Sequence, residues 1–423
     1  MNEDFLHYVW KFQRLRTQKL TTSEGVPIQV LQVGHHNYNA GPDFFNGQLI
    51  IGNQKWAGTI EIHVHSSDWY IHNHEKDKAY DTVILHVVWQ HDAEVYRKNG
   101  SQIPTLVLQD YISSEMLANY RALYSQKTKW IVCEDYFPKV ASFTLNSWLE
   151  RLYIERLEQK STTISERLIA LQNDWEAVFF EMLAKSFGLV VNGASFLSIA
   201  QSIPFILIQK YRHNPDQLEA LLFGQAGFLD VEAKDVYQLN QQQSYGYIKQ
   251  KHGLKKSGVA VPKYFRLRPH NFPNIRLSQL ANLYFERSHL FSSAIEATSV
   301  EQLYKLFNVS ALPYWETHYS FGVTAASYKR TTSKAFIDLL LINTIIPIKF
   351  CYAQKMRHDN VEELLAMARS LTKENNTIIN RFNALKKVAI NAFDSQALLQ
   401  LNKYYCSKLK CMQCAIGNEI LRR

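Results

Sequence analysis

The hydrophobic period changes about one third of the way along the 423-residue chain, and this change constrains the fold more than any other feature. Up to about residue 110, apolar residues alternate with polar ones or form short runs between turn signals, which is typical of β-strands. From about Thr144 they recur every three to four residues, as at Leu145, Trp148 and Leu152, which is typical of amphipathic helices. The pattern predicts an α/β or α+β domain over residues 1–135, followed by a larger, mostly α-helical domain over residues 136–423.

The first domain is predicted to contain one helix and then five strands. Apolar residues at helical spacing, including Phe5, Val9 and Trp10, predict a helix from Glu3 to about Leu15. The turn signals "NAGP" and "GN" separate the strands on either side of them. The strands are predicted at Pro27 to Val33, Phe44 to Ile51, Trp56 to His65, Asp81 to Trp89 and Thr105 to Leu108.

Composition and cysteine content favour a soluble, cytoplasmic protein. The chain is 46% hydrophobic and 20% charged, and its first residues lack the cationic and apolar segments of a secretory signal. The longest apolar stretch, Phe336 to Phe350, includes Asp338 and falls short of a bilayer span, so we expect a buried helix that Pro347 ends. Five cysteines in so long a chain do not make a disulfide framework. No membrane partner is expected, and the oligomeric state is left open.

Positive charge is concentrated in the second domain. The net charge of +9 divides into −1 up to Trp130 and +10 beyond it. The segment "KYFRLRPHNFPNIRLSQLA" places basic side chains around a proline-rich turn before a helix, with aromatic side chains nearby for stacking on bases. The candidate nucleic-acid contacts are Arg266, Arg268, His270 and Arg276. The alternative is a loop whose arginines pair with acidic residues of the first domain.

Another segment of this domain, "EALLFGQAGFLD", contains two glycines in a helical context. Gly224 and Gly227 do not form a phosphate-binding loop, because the Lys-Ser/Thr ending of that motif is missing. Close packing of helices is the expected reason for these glycines.

The segment "GTIEIHVHSSDWYIHNHEKD", residues 58–77, carries the strongest chemical signal. Side chains alternate between the faces of a strand, so Glu61, His63 and His65 share one face and the apolar residues between them share the other. Two more histidines, His72 and His74, follow within ten residues, after a Ser-Ser-Asp turn or helix cap. Imidazole suits zinc, so these four histidines are candidate metal ligands.

A carboxylate pair offers a different metal site in the same domain. Asp43 begins one predicted strand and Glu61 lies on the next, so a turn at residues 52–53 brings them together. Carboxylate oxygens suit Mg²⁺ or Mn²⁺, which activates water and neutralises phosphate charge. We expect Mg²⁺ or Mn²⁺ at Asp43 and Glu61, with zinc at the histidines as the second choice.

Pro42-Asp43, a hairpin-sized gap and then Glu61-Ile62-His63 resemble the PD-(D/E)xK nuclease superfamily over roughly residues 3–89. The resemblance implies a mixed sheet with flanking helices and metal-dependent cleavage of nucleic acid. His63 stands where that superfamily usually has lysine, so it would orient or deprotonate water, or Lys55 would supply the charge. Glu3 would assist from the first helix, as a helix carboxylate does in some relatives. The departure at His63 also fits an inactive domain.

Over nearly its full length the chain resembles an uncharacterised bacterial family that is defined only as a domain of unknown function. The resemblance implies no activity, but it marks where functional residues are expected. The matching stretches are "NAGPDF", "EIHVHSSDWYIHNHEKDKAYDTVILHVV", "EALLFGQAGFL", "RLRPHNFPNIRLSQLA" and "CMQCAIG".

Three cysteines near the end of the chain, Cys406, Cys411 and Cys414, have a spacing typical of a metal or iron–sulfur site. A fourth ligand would have to be Cys133 or Cys351. Some nucleases of the suspected superfamily join one upstream cysteine to such a trio through an iron–sulfur cluster, which favours Cys133. The alternative is that the thiols simply pack as small apolar groups.

Three functional hypotheses follow from the sequence. The first is a metal-dependent endo- or exonuclease that uses Asp43, Glu61 and His63. The second is an inactive nucleic-acid-binding or scaffold protein that retains the nuclease shape. The third is a zinc hydrolase that uses the histidines on a small substrate.

Overall fold

The computed structural model describes residues 1–17, 19–37, 39–125 and 129–422, and it divides into two compact units. Unit 1 comprises Met1–Trp148 and Leu401–Arg423, and unit 2 comprises Leu149–Gln400. The expected boundary near residue 135 therefore differs from the observed division at both ends of the helical region. The spacing of apolar residues indicates whether a segment forms a strand or a helix, but not the unit to which that segment belongs.

Strands and helices follow the predicted order, strands first and helices later. The strands are β1 (Leu20–Thr21), β2 (Pro27–Gln32), β3 (His35–His36), β4 (Phe44–Ile51), β5 (Gln54–His65), β6 (Val83–Gln90), β7 (Thr105–Val107), β8 (His318–Ser320) and β9 (Val323–Thr324). The α-helices are α1 (Glu3–Lys11), α2 (Asp68–Ile71), α3 (Ser114–Ser125), α4 (Ser142–Ala170), α5 (Trp175–Phe187), α6 (Leu189–Gln201), α7 (Phe205–Tyr211), α8 (Pro215–Gln225), α9 (Val236–His252), α10 (Pro273–Glu286), α11 (Leu290–Glu296), α12 (Val300–Phe307), α13 (Lys334–Leu340), α14 (Ile346–Met356), α15 (Val361–Ser370), α16 (Thr377–Leu385), α17 (Ala392–Leu401) and α18 (Ala415–Leu421).

Unit 1 is built on one mixed sheet with the order β1-β2-β4-β5-β6-β7, in which β3 also pairs with β4. Strands β1, β2, β4 and β5 are antiparallel neighbours, whereas β5, β6 and β7 run parallel. The parallel part is buried on both faces, as parallel strands usually are, and all six residues from Val83 to Val88 are buried. The polar face of β5 is buried as well, since Glu61 and His63 are 5% and 2% exposed.

Helix α1 packs against β5 through the apolar side of its amphipathic sequence. Phe5, Leu6, Val9 and Trp10 are completely buried, and the Trp10 indole N–H donates to the Val33 carbonyl at 3.1 Å. The helix ends at Lys11 rather than near residue 15, because the chain takes a left-handed conformation two residues later. This packing places the polar side chains of α1 near the carboxylates of the sheet.

The connection between the parallel strands β5 and β6 consists of α2 and two 3₁₀ turns, His74–Lys76 and Lys78–Tyr80. Its anchor is Trp69, which is 1% exposed. The side chains packed around it are Tyr80, Val83, Val95 and Ile103. The anchor fixes the histidine-bearing loop against the sheet.

Unit 2 is predominantly helical, and its longest apolar stretch corrects one expectation. The prediction that Pro347 ends this helix is wrong, because α13 continues through a π-helical turn, Leu341–Ile345, into α14. Pro347 lies two residues after this π-helical turn, where the regular hydrogen bonding of the α-helix is already interrupted.

By length and composition, the segment Lys334–Met356 is the one continuous helix in the described chain that could cross a membrane. A second candidate is the bent pair of α6 and α7, with an angle of 85° between the helices. In the first segment, 78% of the most apolar window is buried inside the protein, as is typical of a core helix.

Candidate metal centre

Two carboxylates meet where β4 and β5 pair. Asp43 immediately precedes β4, and Phe44 pairs with Ile60, so Glu61 lies beside Asp43. The Asp43 backbone N–H donates to Glu61 Oε2 at 3.2 Å, and the Ile62 backbone N–H donates to Asp43 Oδ2 at 2.9 Å. The hairpin therefore brings together the two carboxylates that the sequence singles out, and backbone hydrogen bonds fix their orientation.

Three histidines converge beside this pair. His63 comes from β5, while His72 and His74 come from the loop after α2. Asn73 between them has φ +60°, a left-handed conformation that asparagine tolerates better than most residues. One ring nitrogen from each histidine lies within 4.8 Å of the other two, and His63 Nε2 is 3.2 Å from His72 Nδ1. The group formed by His63, His72 and His74 could hold a metal ion.

Glu61 joins the carboxylates to the histidine group. Glu61 Oε1 lies 3.3 Å from His74 Nε2 and 3.5 Å from His63 Nε2. Burial, reinforced by the nearby charge of Asp43, raises the pKa of Glu61 well above its ordinary value. Burial lowers the pKa of His63 to about 3 and also lowers the pKa of His74. Burial thus favours the neutral form of His63 and His74, which is the form that ligates metals.

His86 supports the site from behind. It pairs with Glu61 in the parallel register and is fully buried, and its Nε2 is 2.9 Å from His63 Nδ1. If His63 Nδ1–H donates to His86, the Nε2 lone pair of His63 faces the other histidines. Metal-ligating histidines commonly use their second nitrogen in this way. His74 is held by a stacked contact with Tyr80, with ring centroids 3.7 Å apart.

Helix α1 contributes Glu3 and His7, which are four residues apart and so lie on one side of the helix. His7 Nε2 lies 3.2 Å from Asp43 Oδ2, an ion-pair distance. Burial opposes the charged form of His7, but interaction with Asp43 outweighs it and raises the pKa of His7. Burial, followed by the charge of Asp43, raises the pKa of Glu3. Asp43 therefore favours the protonated form of His7 beside the carboxylates.

Two residues considered from the sequence lie away from this site. His65 is exposed at the end of β5, and its Nδ1 is 3.7 Å from Asp68 Oδ2. Lys55 is exposed near the start of β5, six residues before Glu61 and so about 20 Å away along the strand. Neither side chain reaches the carboxylates.

The basic segment of unit 2 is divided between surface and core. Arg266, Arg268 and His270 are exposed before α10. Arg276 is 4% exposed, donates to Gln279 Oε1 and Asn271 Oδ1 at 2.8 and 2.6 Å, and lies over the Phe336 ring. Arg276 therefore organises the first turns of α10.

The cysteines considered as cluster ligands also separate into two sets. Cys133, Cys406, Cys411 and Cys414 all belong to unit 1. Cys351 lies on α14 in unit 2, with its sulfur 3.7 Å from the Ser161 carbonyl oxygen.

Sequence reasoning did not assign roles to His7 and His86. The sequence carries a signal for each of them. His7 is four residues after Glu3 on an amphipathic helix, and His86 is a single histidine inside the otherwise apolar strand Val83–Val88. Neither signal identifies the residue that the histidine contacts, because that residue depends on how α1 and the strands pack together.

These features define a class of two-unit proteins. One unit is α/β, and its mixed sheet carries a group of histidines and carboxylates that could hold a metal ion. The other unit is mostly helical. The chain belongs to the family described as Protein of unknown function (DUF2851), whose family model matches residues 3–377. This match confirms the resemblance over residues 3–377, and the stretch "CMQCAIG" lies beyond it. No curated protein and no solved structure matches the chain.

Proposed function

We propose that the protein is a metal-dependent hydrolase that cleaves phosphodiester bonds in nucleic acid. The observation that carries the proposal is the position of Glu61, whose carboxylate contacts Asp43 on one side and His63 and His74 on the other. Oxygen and neutral imidazole donors thus surround one small region.

The donor set fits a divalent cation. Three imidazole nitrogens and a carboxylate oxygen favour a transition ion such as Mn²⁺ or Zn²⁺ over Mg²⁺, which prefers oxygen ligands. A bound ion would neutralise charge on a phosphate oxygen and lower the pKa of a bound water. Glu61, His63, His72 and His74 are the residues that would hold it.

The side chains around Glu61 can supply the positive charge and the proton transfer that hydrolysis needs without a lysine at the position of His63. His63, as a neutral imidazole, cannot supply the positive charge that lysine supplies in the nuclease superfamily. His7 takes that place from α1, where Asp43 raises its pKa and favours its protonated form. Glu3, with its raised pKa, is a carboxyl group that can hold or release a proton near the reacting phosphate.

The fold and the charge distribution support a nucleic-acid substrate. Helix α1 followed by the antiparallel strands β2, β4 and β5 is the arrangement that the nuclease resemblance implies. The excess of positive charge lies beyond Trp130, and Arg266, Arg268 and His270 are exposed there. Such charge attracts the phosphate backbone irrespective of sequence.

A second candidate is a zinc hydrolase acting on a small substrate. The observation that favours it is the histidine group, since three imidazoles with an open fourth position are a common catalytic zinc arrangement. In that function Glu61 would serve as the general base beside the zinc-bound water.

The test is cleavage of plasmid DNA, single-stranded DNA and RNA by the full-length protein with Mg²⁺, Mn²⁺ or Zn²⁺. We expect cleavage that depends on the ion, and a loss of about 100-fold or more in Glu61→Gln and Asp43→Asn. Asp81→Asn is the matched control, because Asp81 is an exposed carboxylate of the same unit. It should cleave like the wild type.

Two outcomes would contradict the nuclease proposal. Salt-dependent binding of nucleic acid without cleavage under any ion would identify an inactive binding protein. Zinc-dependent hydrolysis of a small ester or phosphomonoester, with nucleic acid left intact, would identify the second candidate.

A further inference from the structure

Unit 2 contains a cavity of about 550 Å³ that is lined by residues of this unit alone. Its walls come from α4, from the end of α5 and the beginning of α6, and from the continuous helix formed by α13, the π-helical turn and α14. Glu374, between α15 and α16, also lines it. Val190 in the lining is fully exposed, so the cavity opens to solvent. Its volume lies in the range of about 300–1,000 Å³ that is typical of small-molecule sites.

Two cationic side chains of α4 point to the chemistry of this cavity. Arg156 and Lys160 both line it, and because they are four residues apart they lie on one side of the helix. Lys160 Nζ donates to the Ile342 carbonyl oxygen at 3.2 Å and to Asn343 Oδ1 at 3.0 Å, and Arg156 Nε donates to Gln396 Oε1 at 2.6 Å. These acceptors are neutral oxygens, so the hydrogen bonds orient the two cations without cancelling their charge.

Lys185 brings a third cation to the cavity from α5. The next residue, Ser186, makes a hydrogen bond with Thr344, which lies in the same π-helical turn that contacts Lys160. The turn therefore holds the end of α5 close to the basic side of α4. Lys185 itself is exposed, so its ammonium group can reach a ligand that enters from solvent.

The charges in the cavity do not balance. Among the described residues that line it, Glu374 is the one carboxylate and stands against three cationic side chains. Burial lowers the pKa of Lys160 to about 7, and repulsion by Arg156 contributes to this shift. An anion in the cavity would relieve that repulsion.

Most of the remaining lining is aliphatic. The described residues that line the cavity include no aromatic side chain. An aliphatic wall gains free energy by removing a hydrocarbon chain from water, but it offers no ring on which a nucleobase could stack. The ligand that fits is therefore an anion with an aliphatic body. Apolar side chains come from each wall, among them Ile164, Met182, Leu189, Leu339 and Ile348.

We propose that this cavity binds an aliphatic anion, with a carboxylate or phosphate head group at Arg156, Lys160 and Lys185 and its chain against the aliphatic lining. Both head groups accept charge-assisted hydrogen bonds from arginine and lysine. The proposal is independent of the candidate metal centre, because Glu61 belongs to unit 1 and the cavity to unit 2.

The test is isothermal titration calorimetry of the full-length protein with octanoate and with octyl phosphate. We expect at least one of these anions to bind at one molecule per chain, and the tighter of the two identifies the head group. Octan-1-ol lacks the charge and acetate lacks the chain, so both should bind at least about 10-fold more weakly.

Variants locate the binding site within unit 2. Lys160→Met keeps the length of the side chain but removes its charge, and it should weaken binding by about 10-fold or more. Lys185→Met should weaken it too, and this variant should fold because Lys185 is exposed. Ala194→Trp should block the cavity, since Ala194 lines it and is also exposed. Lys249→Met is the matched control at an exposed lysine of α9 and should bind like the wild type.

Three results would overturn the proposal. The first is that wild-type protein binds neither octanoate nor octyl phosphate, and the second is that it binds octan-1-ol as tightly as either anion. The third is unchanged binding in folded Lys185→Met and Ala194→Trp, which decides the location of the site even if Lys160→Met does not fold. Glu61→Gln should bind octanoate like the wild type, which separates this result from the test of hydrolysis.

Discussion

At the scale of single residues, the most consequential group is the buried carboxyl of Glu61. Its burial and the neighbouring Asp43 both disfavour its charged form, while His63 and His74 face it as neutral rings. In the absence of a cation, a charge on Glu61 is compensated only in part, by the hydrogen bond from the Asp43 backbone N–H and by the more distant His7. A site of this kind sacrifices stability in the metal-free protein for cation affinity.

The first prediction concerns the stability of metal-free Glu61→Gln. The folded-state pKa of Glu61 is raised, so its contribution to stability is fully present below the ordinary pKa of 4.5 and declines as the pH rises above it. Glutamine mimics the protonated form, so the variant should be more stable than the wild type by about 1–3 kcal/mol at pH 8, with little difference at pH 4.5. Urea denaturation over this pH range, after removal of metal by a chelator, measures the difference.

The same experiment includes its own control. Asp81→Asn, at an exposed site of unit 1, should follow the wild-type stability within about 0.5 kcal/mol at every pH. Addition of Mn²⁺ or Zn²⁺ should raise the melting temperature of the wild type more than that of Glu61→Gln. Equal stability of Glu61→Gln and wild type at pH 8 would mean that Glu61 is charged and paired in the folded protein.

The sequence identified much of the candidate site, because alternation along a strand is a local property. Glu61 and His63 share a face of β5, and the hairpin to Asp43 follows from the turn between the two strands. His65 shares the same face but lies at the strand end, where the chain turns toward α2. The contacts of His7 and His86 depend on helix and strand packing, which no local pattern specifies.

At the scale of secondary-structure elements, the crossing of α8 and α9 in unit 2 depends on one glycine. A Cβ added to Gly224 would lie 2.1 Å from the Tyr245 ring, so the close packing expected from the sequence is present at this position. Gly246, the next residue along α9, has nothing within 4 Å of its added Cβ. The two glycines form a matched pair, one inside the crossing and one outside it.

The second prediction uses this pair. Gly224→Ala should destabilise the protein by about 1–3 kcal/mol, since the methyl group forces α8 and α9 apart. Gly246→Ala should stabilise it by about 0.5–1 kcal/mol, because alanine is the better helix former and the site is exposed. Thermal and urea denaturation of both variants give the comparison. Destabilisation by both variants to the same extent would show that helix packing at Gly224 is not the cause.

Element positions were predicted well where period and turn signals agree, and less well at breaks. The predicted span of β4 matches the observed one, and β5 begins two residues earlier than expected. The prediction at Pro347 was wrong because a proline that follows a π-helical turn inside a continuous helix has the same local sequence signal as one that ends a helix. The π-helical turn at Leu341–Ile345 distinguishes the two cases, and it is visible only in the structure.

At the scale of the whole molecule, unit 1 is discontinuous, with residues 401–423 completing a domain that begins at Met1. Ile416, Ile420 and Leu421 on α18 are at most 2% exposed. The spacing of its apolar residues predicted a helix, so this segment was predicted to belong to the helical domain, whereas its apolar face packs in unit 1. To assign a helix to a domain, one must know which elements its apolar face packs against.

The third prediction tests this assignment with two isoleucines. Ile420→Ala should destabilise unit 1 by about 2–4 kcal/mol and raise amide hydrogen exchange in α1 and α3, because it leaves a cavity beneath α18. Ile390→Ala in unit 2 is the control, since Ile390 is 69% exposed, and it should change stability by less than about 0.5 kcal/mol. Increased exchange confined to α10 and its neighbours would place the C-terminal segment with unit 2 instead.

The discontinuity of unit 1 also sets the order in which a newly made chain is completed. The ribosome releases the sheet first, then the whole of unit 2, and only then the segment that carries Cys406, Cys411 and Cys414. Domains generally fold as they emerge, so unit 2 is finished while unit 1 still lacks its last helix. Unit 1 therefore closes only after residues 401–423 have been made, and a chain truncated before residue 401 would carry a finished unit 2 and an unfinished unit 1.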